Sequence, residues 1–308
     1  MYASHARFLI SGALALTLIE FASLPAAAGA HNATATPDAP AEVKSGQVNL
    51  DQSKVDPAST IALAPHRAVY ELTLSKSVGS KSPTAAHGRI AFDFAGSPCE
   101  GYVQNFRQLT ELQPAEGPTR ISDMHSATFE DSEGKNFDFK MQTSVDNETA
   151  ETIDGKASKS SSGPLSVNLS KPKHSKFDLG EDVVFPTEHL RRILAAAETG
   201  KNLLEVKVYD GSETGDKVFE TTTYIGHPES SPVIEQAAQI PALEKLRRWP
   251  VSISYFETGK KDEGPSYVLS FDLYENGISR ALRLDYGDFV LSGEMSSLEL
   301  LNEPPCRK

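Results

Sequence analysis

The two thiols are the side chains of this sequence with the most distinctive chemistry. Cys99 and Cys306 are its only cysteines, 207 positions apart. A thiol can act as a nucleophile, a metal ligand or a disulfide partner. The acidic neighbour Glu100 disfavours a reactive thiolate at Cys99, and the polar tail around Cys306 gives that residue no packing role. We therefore predict one structural disulfide, Cys99–Cys306, formed in an oxidising compartment.

Other candidate chemistry is sparse. The histidines of the predicted folded domain occur singly, without the spacing of metal ligands, and each is expected to be solvated or locally bonded. They are His66, His87, His125, His174, His189 and His227. The sequence contains no GxSxG elbow, and 211–217 has the wrong glycine spacing for a phosphate loop, so it is interpreted as a turn between two strands. We expect no catalytic residue, no metal, no cofactor and no enzymatic activity.

The least generic stretch surrounds the sole tryptophan. Arg247 and Arg248 precede Trp249, and Pro250 begins an aromatic strand. One interpretation is a helix-to-strand corner anchored by a buried indole. The other is that Arg247, Arg248 and Trp249 form the rim of a partner or ligand site, where Arg and Trp are enriched.

Residues 1–30 are predicted to be a signal peptide, with a basic Arg7, the apolar run Phe8–Ile19 and a small-residue cleavage box. Residues 31–64 are rich in Ala, Pro, Thr and Ser and are expected to be a flexible polar tail. The folded domain is expected at 65–308. The net charge of −12 argues against a nucleic-acid partner, and no later run has membrane length. We therefore expect an exported, soluble protein.

The folded part shows repeated period-2 alternation, which is typical of antiparallel strands with one buried face. We predict a single mainly β domain of about 12–14 strands, barrel-like, with one or two helices. Asn276-Gly277 is the strongest hairpin signal. Gly155–Lys176 is predicted to be an exposed loop or a ragged hairpin.

Two helices are expected among the strands. Thr187 is predicted to cap a helix that runs from Glu188 to about Glu198 and turns Arg191 away from its apolar stripe. A shorter helix is predicted from Pro241, ending before Pro250.

The HRAVYELTL and GRIAFDF strands, the cysteine shortly after them, the RRWPVSISYF corner and the C-terminal PPC resemble the envelope integrity protein B family of alphaproteobacterial periplasmic proteins. The likeness covers roughly residues 60–308. It implies a β-spiral with a helix in its concavity, a disulfide at Cys99 and Cys306, a periplasmic location and a role in envelope-stress resistance without known catalysis.

Three functions remain open at this stage. The first is a non-enzymatic module or scaffold that maintains the cell envelope, as a monomer or homodimer, by binding a periplasmic partner or a lipid-like ligand. The second is a lipid or lipoprotein carrier with an apolar cavity. Large inward residues could instead fill that space, namely Phe92, Phe94, Phe137, Phe139 and Phe271. The third is a hydrolase of envelope polymer whose catalytic groups converge from distant positions.

Overall fold

A computed structural model of the chain describes residues 61–160, 163–260 and 263–306. The fold is a single sheet of fifteen strands. The first eight are β1 His66–Ser77, β2 Ala85–Ser97, β3 Gly101–Gln113, β4 Arg120–Glu130, β5 Asn136–Val145, β6 Glu148–Lys159, β7 Leu165–Lys171 and β8 Ser175–Asp178. The other seven are β9 Val183–Val184, β10 Leu203–Val208, β11 Phe219–Ile225, β12 Arg248–Glu257, β13 Tyr267–Tyr274, β14 Ser279–Asp285 and β15 Phe289–Leu300.

Most strands pair with their neighbours in sequence. From β8 to β1 and from β15 to β10 the sheet is an antiparallel meander, and pairing of β1 with β15 joins the two halves. The fifteen strands slightly exceed the predicted 12–14, because the structure includes two very short strands, β8 and β9. The sheet is antiparallel, as predicted, except that the pairing of β9 with β10 is parallel.

The sheet does not close into a barrel by hydrogen bonding, because β8 and β9 are its two edges in the described part of the chain. Instead, the inner face of β5 to β7 packs on β9 and on Tyr209, which follows β10. The ring of Phe137 lies 5.0 Å from that of Phe185, and the ring of Phe139 lies 5.7 Å from that of Tyr209. We call this buried cluster the closing core. Packing of one end of the sheet against the other makes the fold a spiral.

In the described part of the chain, two α-helices and one short 3-10 helix, Gln236–Ala238, accompany the sheet. Helix α1 covers Pro186–Glu198 and helix α2 is a single turn, Pro241–Glu244. The predicted cap at Thr187 is wrong: Phe185 occupies the N-cap and supplies no side-chain hydrogen bond. The carboxylate of Glu130 on β4 accepts the backbone N–H groups of Thr187 (2.7 Å) and Glu188 (2.9 Å) instead. A strand distant in sequence therefore satisfies the start of α1.

The folded chain begins before the predicted boundary at residue 65. Leu63 is buried in the larger of the two hydrophobic clusters, together with Phe94, Trp249 and Phe271, and we call this cluster the larger core. Ala64 donates its N–H to the carbonyl of Asn276 at 2.8 Å. Gly277, with φ +88°, leaves the room that Leu63 occupies, because a Cβ there would lie 2.7 Å from the leucine side chain. The hairpin predicted at Asn276-Gly277 thus also contacts Leu63 and Ala64, just before β1. The predicted signal peptide and most of the predicted tail lie outside the described residues.

The loop interpretation of Gly155–Lys176 is wrong. This stretch contains the end of β6, all of β7 and the start of β8. Leu165, Val167 and Leu169 alternate within its Ser- and Lys-rich sequence, and all three are buried in the closing core. Three alternate apolar residues suffice here because they meet an existing apolar surface.

The predicted disulfide is present between Cys99, in the turn from β2 to β3, and Cys306, beyond β15. The two Cα atoms are 5.6 Å apart, within the usual range for a disulfide. In the described part of the chain, no helix has the length and apolar character needed to cross a membrane.

Candidate functional site

A cavity of about 220 Å³ lies between the concave face of the sheet and helix α1. Most of its wall is apolar. Strands β1, β2 and β12 to β14 supply the largest apolar groups, and α1 covers them with Leu190 and Ile193; the strand residues include Tyr70, Ile90, Phe92, Phe94, Ile253, Tyr255, Leu269, Phe271, Leu282 and Leu284. Such a lining matches the chemistry of sites that hold apolar ligands.

The five phenylalanines that could have filled this space divide between two places. Phe92, Phe94 and Phe271 border the cavity. Phe137 and Phe139 fill the closing core, where both are almost completely buried. The alternative of a fully packed interior therefore holds for one end of the spiral and fails for the other.

One side of the cavity is polar. Ser126 and Thr128 line it from β4, and Gln104 lies opposite Thr128 in the register of β3 with β4. Glu130 shares their face of β4, since side chains of alternate residues point the same way. Because Glu130 binds the start of α1, the polar residues of β4 lie beside the first turn of that helix, which contributes His189.

His189 is the most unusual group in this lining. The side chain is buried, and its Nε2 atom has no hydrogen-bond partner among the described residues. Burial, and then the nearby charge of Arg192, lower the pKa of His189 to about 3, so the ring is neutral at physiological pH. The prediction of a solvated or locally bonded ring is wrong for His189. It is right for His66, whose Nδ1 contacts the carbonyl oxygen of Ala64 at 2.8 Å.

The first turn of α1 is fixed by charge as well as by capping. Glu188 pairs with Lys159 of β6 and with Arg192 one turn later, at 2.6 Å in each case. Burial raises the pKa of Glu130 to about 7, despite the two N–H donors that favour its ionised form.

Arg191, predicted to point away, is buried with its guanidinium carbon 5.1 Å from the centre of the Tyr102 ring. An aromatic face can hold such a cation by attraction to its ring electrons.

The loop between β10 and β11 forms another part of the wall through Asp210. It is a turn, as predicted, but its first half is buried. Gly211 has φ +75°, and a Cβ at that position would overlap the ring of Phe139. A glycine is therefore required at position 211, because the backbone there lies close to Phe139 of the closing core. The loop thus connects the cavity wall with that core.

The predicted rim residues do not border this cavity. Trp249 is buried in the larger core, as the corner interpretation expects. Arg247 covers the indole, 5.1 Å from the ring centre, and pairs with Glu275 at 2.7 Å. Arg248 is buried, donates a hydrogen bond to Ser231 and forms an ion pair with Asp272. The indole thus anchors a corner, and the two arginines are engaged within the protein.

A buried ion-pair network near this corner had no signal in the sequence. Arg280 pairs with Glu235 and, at 2.5 Å, with Asp272. The second oxygen of Glu235 accepts the backbone N–H of Met295 at 2.8 Å. Two arginines and two carboxylates thus share the site, which compensates their burial and fixes the segment before α2 against β13 to β15.

The opposite face of β1 to β5 carries a shallower depression with charged side chains. Arg67 pairs with Asp93 at 2.9 Å, and Arg107 pairs with Asp123 at 2.8 Å. These pairs are half-exposed and lie outside the spiral. The enclosed cavity under α1 is the better candidate for a specific site.

The fold and its cavity define a class: an open β-spiral, closed by packing of its ends, with a helix over an apolar pocket. The chain belongs to the EipB-like family, whose model matches residues 57–302.

A curated relative, cell envelope integrity protein EipB of Brucella abortus (strain 2308), is 38% identical over 256 residues, which cover 82% of this chain and 90% of the relative. A crystal structure of a beta-barrel-like protein of domain of unknown function DUF1849 from Brucella abortus matches with a TM-score of 0.74. That match has 37% identity and covers 79% of this chain and all of the solved chain. Both findings confirm the resemblance, and the solved neighbour confirms the barrel-like β architecture that the resemblance implies.

Proposed function

We propose that this protein helps to maintain the integrity of the cell envelope as a non-enzymatic periplasmic binding module. Its cavity would receive a lipid-like ligand or an apolar segment of a partner protein. The name of the Brucella relative and the predicted export signal support the location and the role. The observation that carries the binding mechanism is the apolar cavity under α1.

A lipid or acyl carrier is the second candidate, and the apolar lining of the same partly open cavity favours it. The volume of about 220 Å³ lies below the range of roughly 300–1,000 Å³ usual for ligand pockets. A lipoprotein anchor with several acyl chains would exceed this space. The carrier proposal therefore requires a cargo with a single chain or a wider opening of α1.

A hydrolase is the third candidate, because Ser126, His189 and Asp210 all border the cavity. Nucleophilic catalysis by such a set requires a base bonded to the nucleophile. The Nε2 atom of His189 bonds to no described group, which supports a binding role. Ser126→Ala separates the two, since it removes the hydroxyl and preserves the cavity.

Complementation of a deletion strain tests the proposal. Ser126→Phe places a large ring in the cavity, whereas Ala127→Phe places it on the outer face of the same strand. We expect wild type, Ala127→Phe and Ser126→Ala to restore resistance to detergent and cell-wall antibiotics, and Ser126→Phe to fail at equal periplasmic abundance. Full rescue by Ser126→Phe would contradict the binding role of the cavity, and failure of Ser126→Ala would favour the hydrolase.

A further inference from the structure

We propose that the cavity takes a single medium-length acyl chain with an uncharged, hydrogen-bonding head, such as a monoacyl glycerol ester. The head lies against His189 and the polar residues of β4, and the chain lies along the apolar wall. This inference rests on the proposed binding function and names the class of its ligand.

The size of the cavity sets the length of the chain. The volume of about 220 Å³ is the space open to the centres of water-sized groups, and each such group needs about 10–15 Å³ of it. The cavity therefore holds roughly 15–22 groups of the size of a water molecule or a methylene, close to the roughly 15 non-hydrogen atoms of an eight-carbon chain with its glycerol ester head. One such chain with its head fills the space, and a second chain has no room.

The distribution of polarity sets the orientation. Polar lining residues of β3, β4 and the first turn of α1 include Gln104, Thr128 and His189. The opposite wall, from β12 to β14 with β1 and β2, is mostly apolar, and its polar members are His66, Asn276 and Ser279. His189 borders the cavity, and its buried Nε2 atom, which has no described partner, gains a hydrogen bond when the ring turns toward a ligand.

The charge of the lining favours an uncharged head. Among the described residues that form the wall, none is Lys or Arg, and one is an acid, Asp210. A carboxylate or phosphate head would lose its hydration without gaining a cation in the cavity. The neutral imidazole of His189 can donate to an ester carbonyl or a hydroxyl, and it can accept from a hydroxyl.

Calorimetric titration with 1-monoacylglycerols of six to twelve carbons, kept below micelle-forming concentrations, tests the inference on the purified mature protein. We expect the affinity to rise about fourfold per methylene, the value for burial of such a group. The rise should stop near eight carbons, when the cavity is full. Octanoate at pH 8 should bind at least tenfold more weakly than 1-octanoylglycerol.

Two variants locate the head. His189→Leu should weaken the binding of 1-octanoylglycerol about tenfold, since it removes one hydrogen bond and keeps the apolar volume. His125→Leu is the matched control, because His125 lies on the outer face of β4, half-exposed, beside Asp123. It should bind as wild type does.

The inference is overturned if octanoate binds as tightly as its glycerol ester, if the affinity keeps rising to twelve carbons, or if no monoacylglycerol binds. It is also overturned if His189→Leu binds as wild type does. The proposed function can survive each result, because it fails only when the filled variant Ser126→Phe restores envelope resistance.

Discussion

The closing core and the larger core are both rich in aromatic residues, but these residues are packed differently in the two cores. In the closing core, Phe137 and Phe139 pack against Phe185 and Tyr209 at ring distances of 5.0–6.3 Å, and all four residues are buried. In the larger core, Phe94 and Phe271 face a cavity whose far side is a polar helix turn. The difference separates a core that holds the two ends of the spiral together from a core that borders a cavity.

Removal of the disulfide should have the largest effect on stability. Cys99 and Cys306 join the turn after β2 to the segment after β15, and on the chain-entropy model a loop of this length contributes about 5 kcal/mol. The double variant Cys99→Ser, Cys306→Ser should unfold at much lower urea concentration and restore envelope resistance poorly. Unchanged denaturation relative to the oxidised wild type would show that packing alone holds the larger core.

Truncation of aromatic residues tests the contrast between the cores directly. Phe137→Ala should lower the free energy of unfolding by about 4 kcal/mol, since it opens a void in packed surroundings. Phe271→Ala should cost about half as much, because that ring already borders empty space. Urea denaturation of both variants measures the difference. Equal losses would mean that the cavity wall is packed as tightly as the closing core.

The pH dependence of stability tests the anchoring of α1. Burial raises the pKa of Glu130 to about 7, above the usual value of 4.5, so the folded state holds this proton more tightly than the unfolded chain. Protonated Glu130 therefore contributes about 3 kcal/mol to the free energy of unfolding below pH 4.5, and this contribution is lost as the pH rises through 7. Burial also raises the pKa of Glu213 to about 7, so this residue likewise makes the free energy of unfolding fall as the pH rises.

Urea denaturation between pH 4.5 and 8 measures this loss. Glu130→Gln should flatten the slope, whereas Glu148→Gln, on the exposed start of β6, should leave it unchanged. A slope that persists in Glu130→Gln and vanishes in Glu213→Gln would assign the effect to the loop between β10 and β11.

The smallest expected change separates stability from binding. His189→Leu should raise the free energy of unfolding by about 1 kcal/mol, because it removes a buried polar atom without a described partner. The same variant is expected to bind its ligand less well. Thermal denaturation without ligand checks the gain, and a loss of stability would mean that His189 serves the fold.

Local sequence patterns were enough to predict most of the fold. Alternation placed the strands, and the spacing of apolar residues placed α1. The cap from Glu130 and the ion pair of Glu235 with Arg280 could not be predicted, since the partners are 57 and 45 positions apart. Each depends on which strands become neighbours, and a single sequence does not state that.

The cavity is the clearest limit of the sequence. Phe92 and Phe139 stand in similar alternating strands, yet one borders open space and the other is packed. The outcome depends on the element that arrives opposite each strand, β9 with Tyr209 in one case and the first turn of α1 in the other. The inward direction of His189 likewise follows from how α1 is docked.

Native mass spectrometry of the protein purified from the periplasm without detergent tests the central claim most directly. We predict that the wild type carries an adduct with the mass of a single-chain lipid-like molecule, that Ala127→Phe keeps it, and that Ser126→Phe loses it. Bare protein in all three samples, or an adduct that Ser126→Phe retains in full, would contradict the account of a ligand-filled cavity.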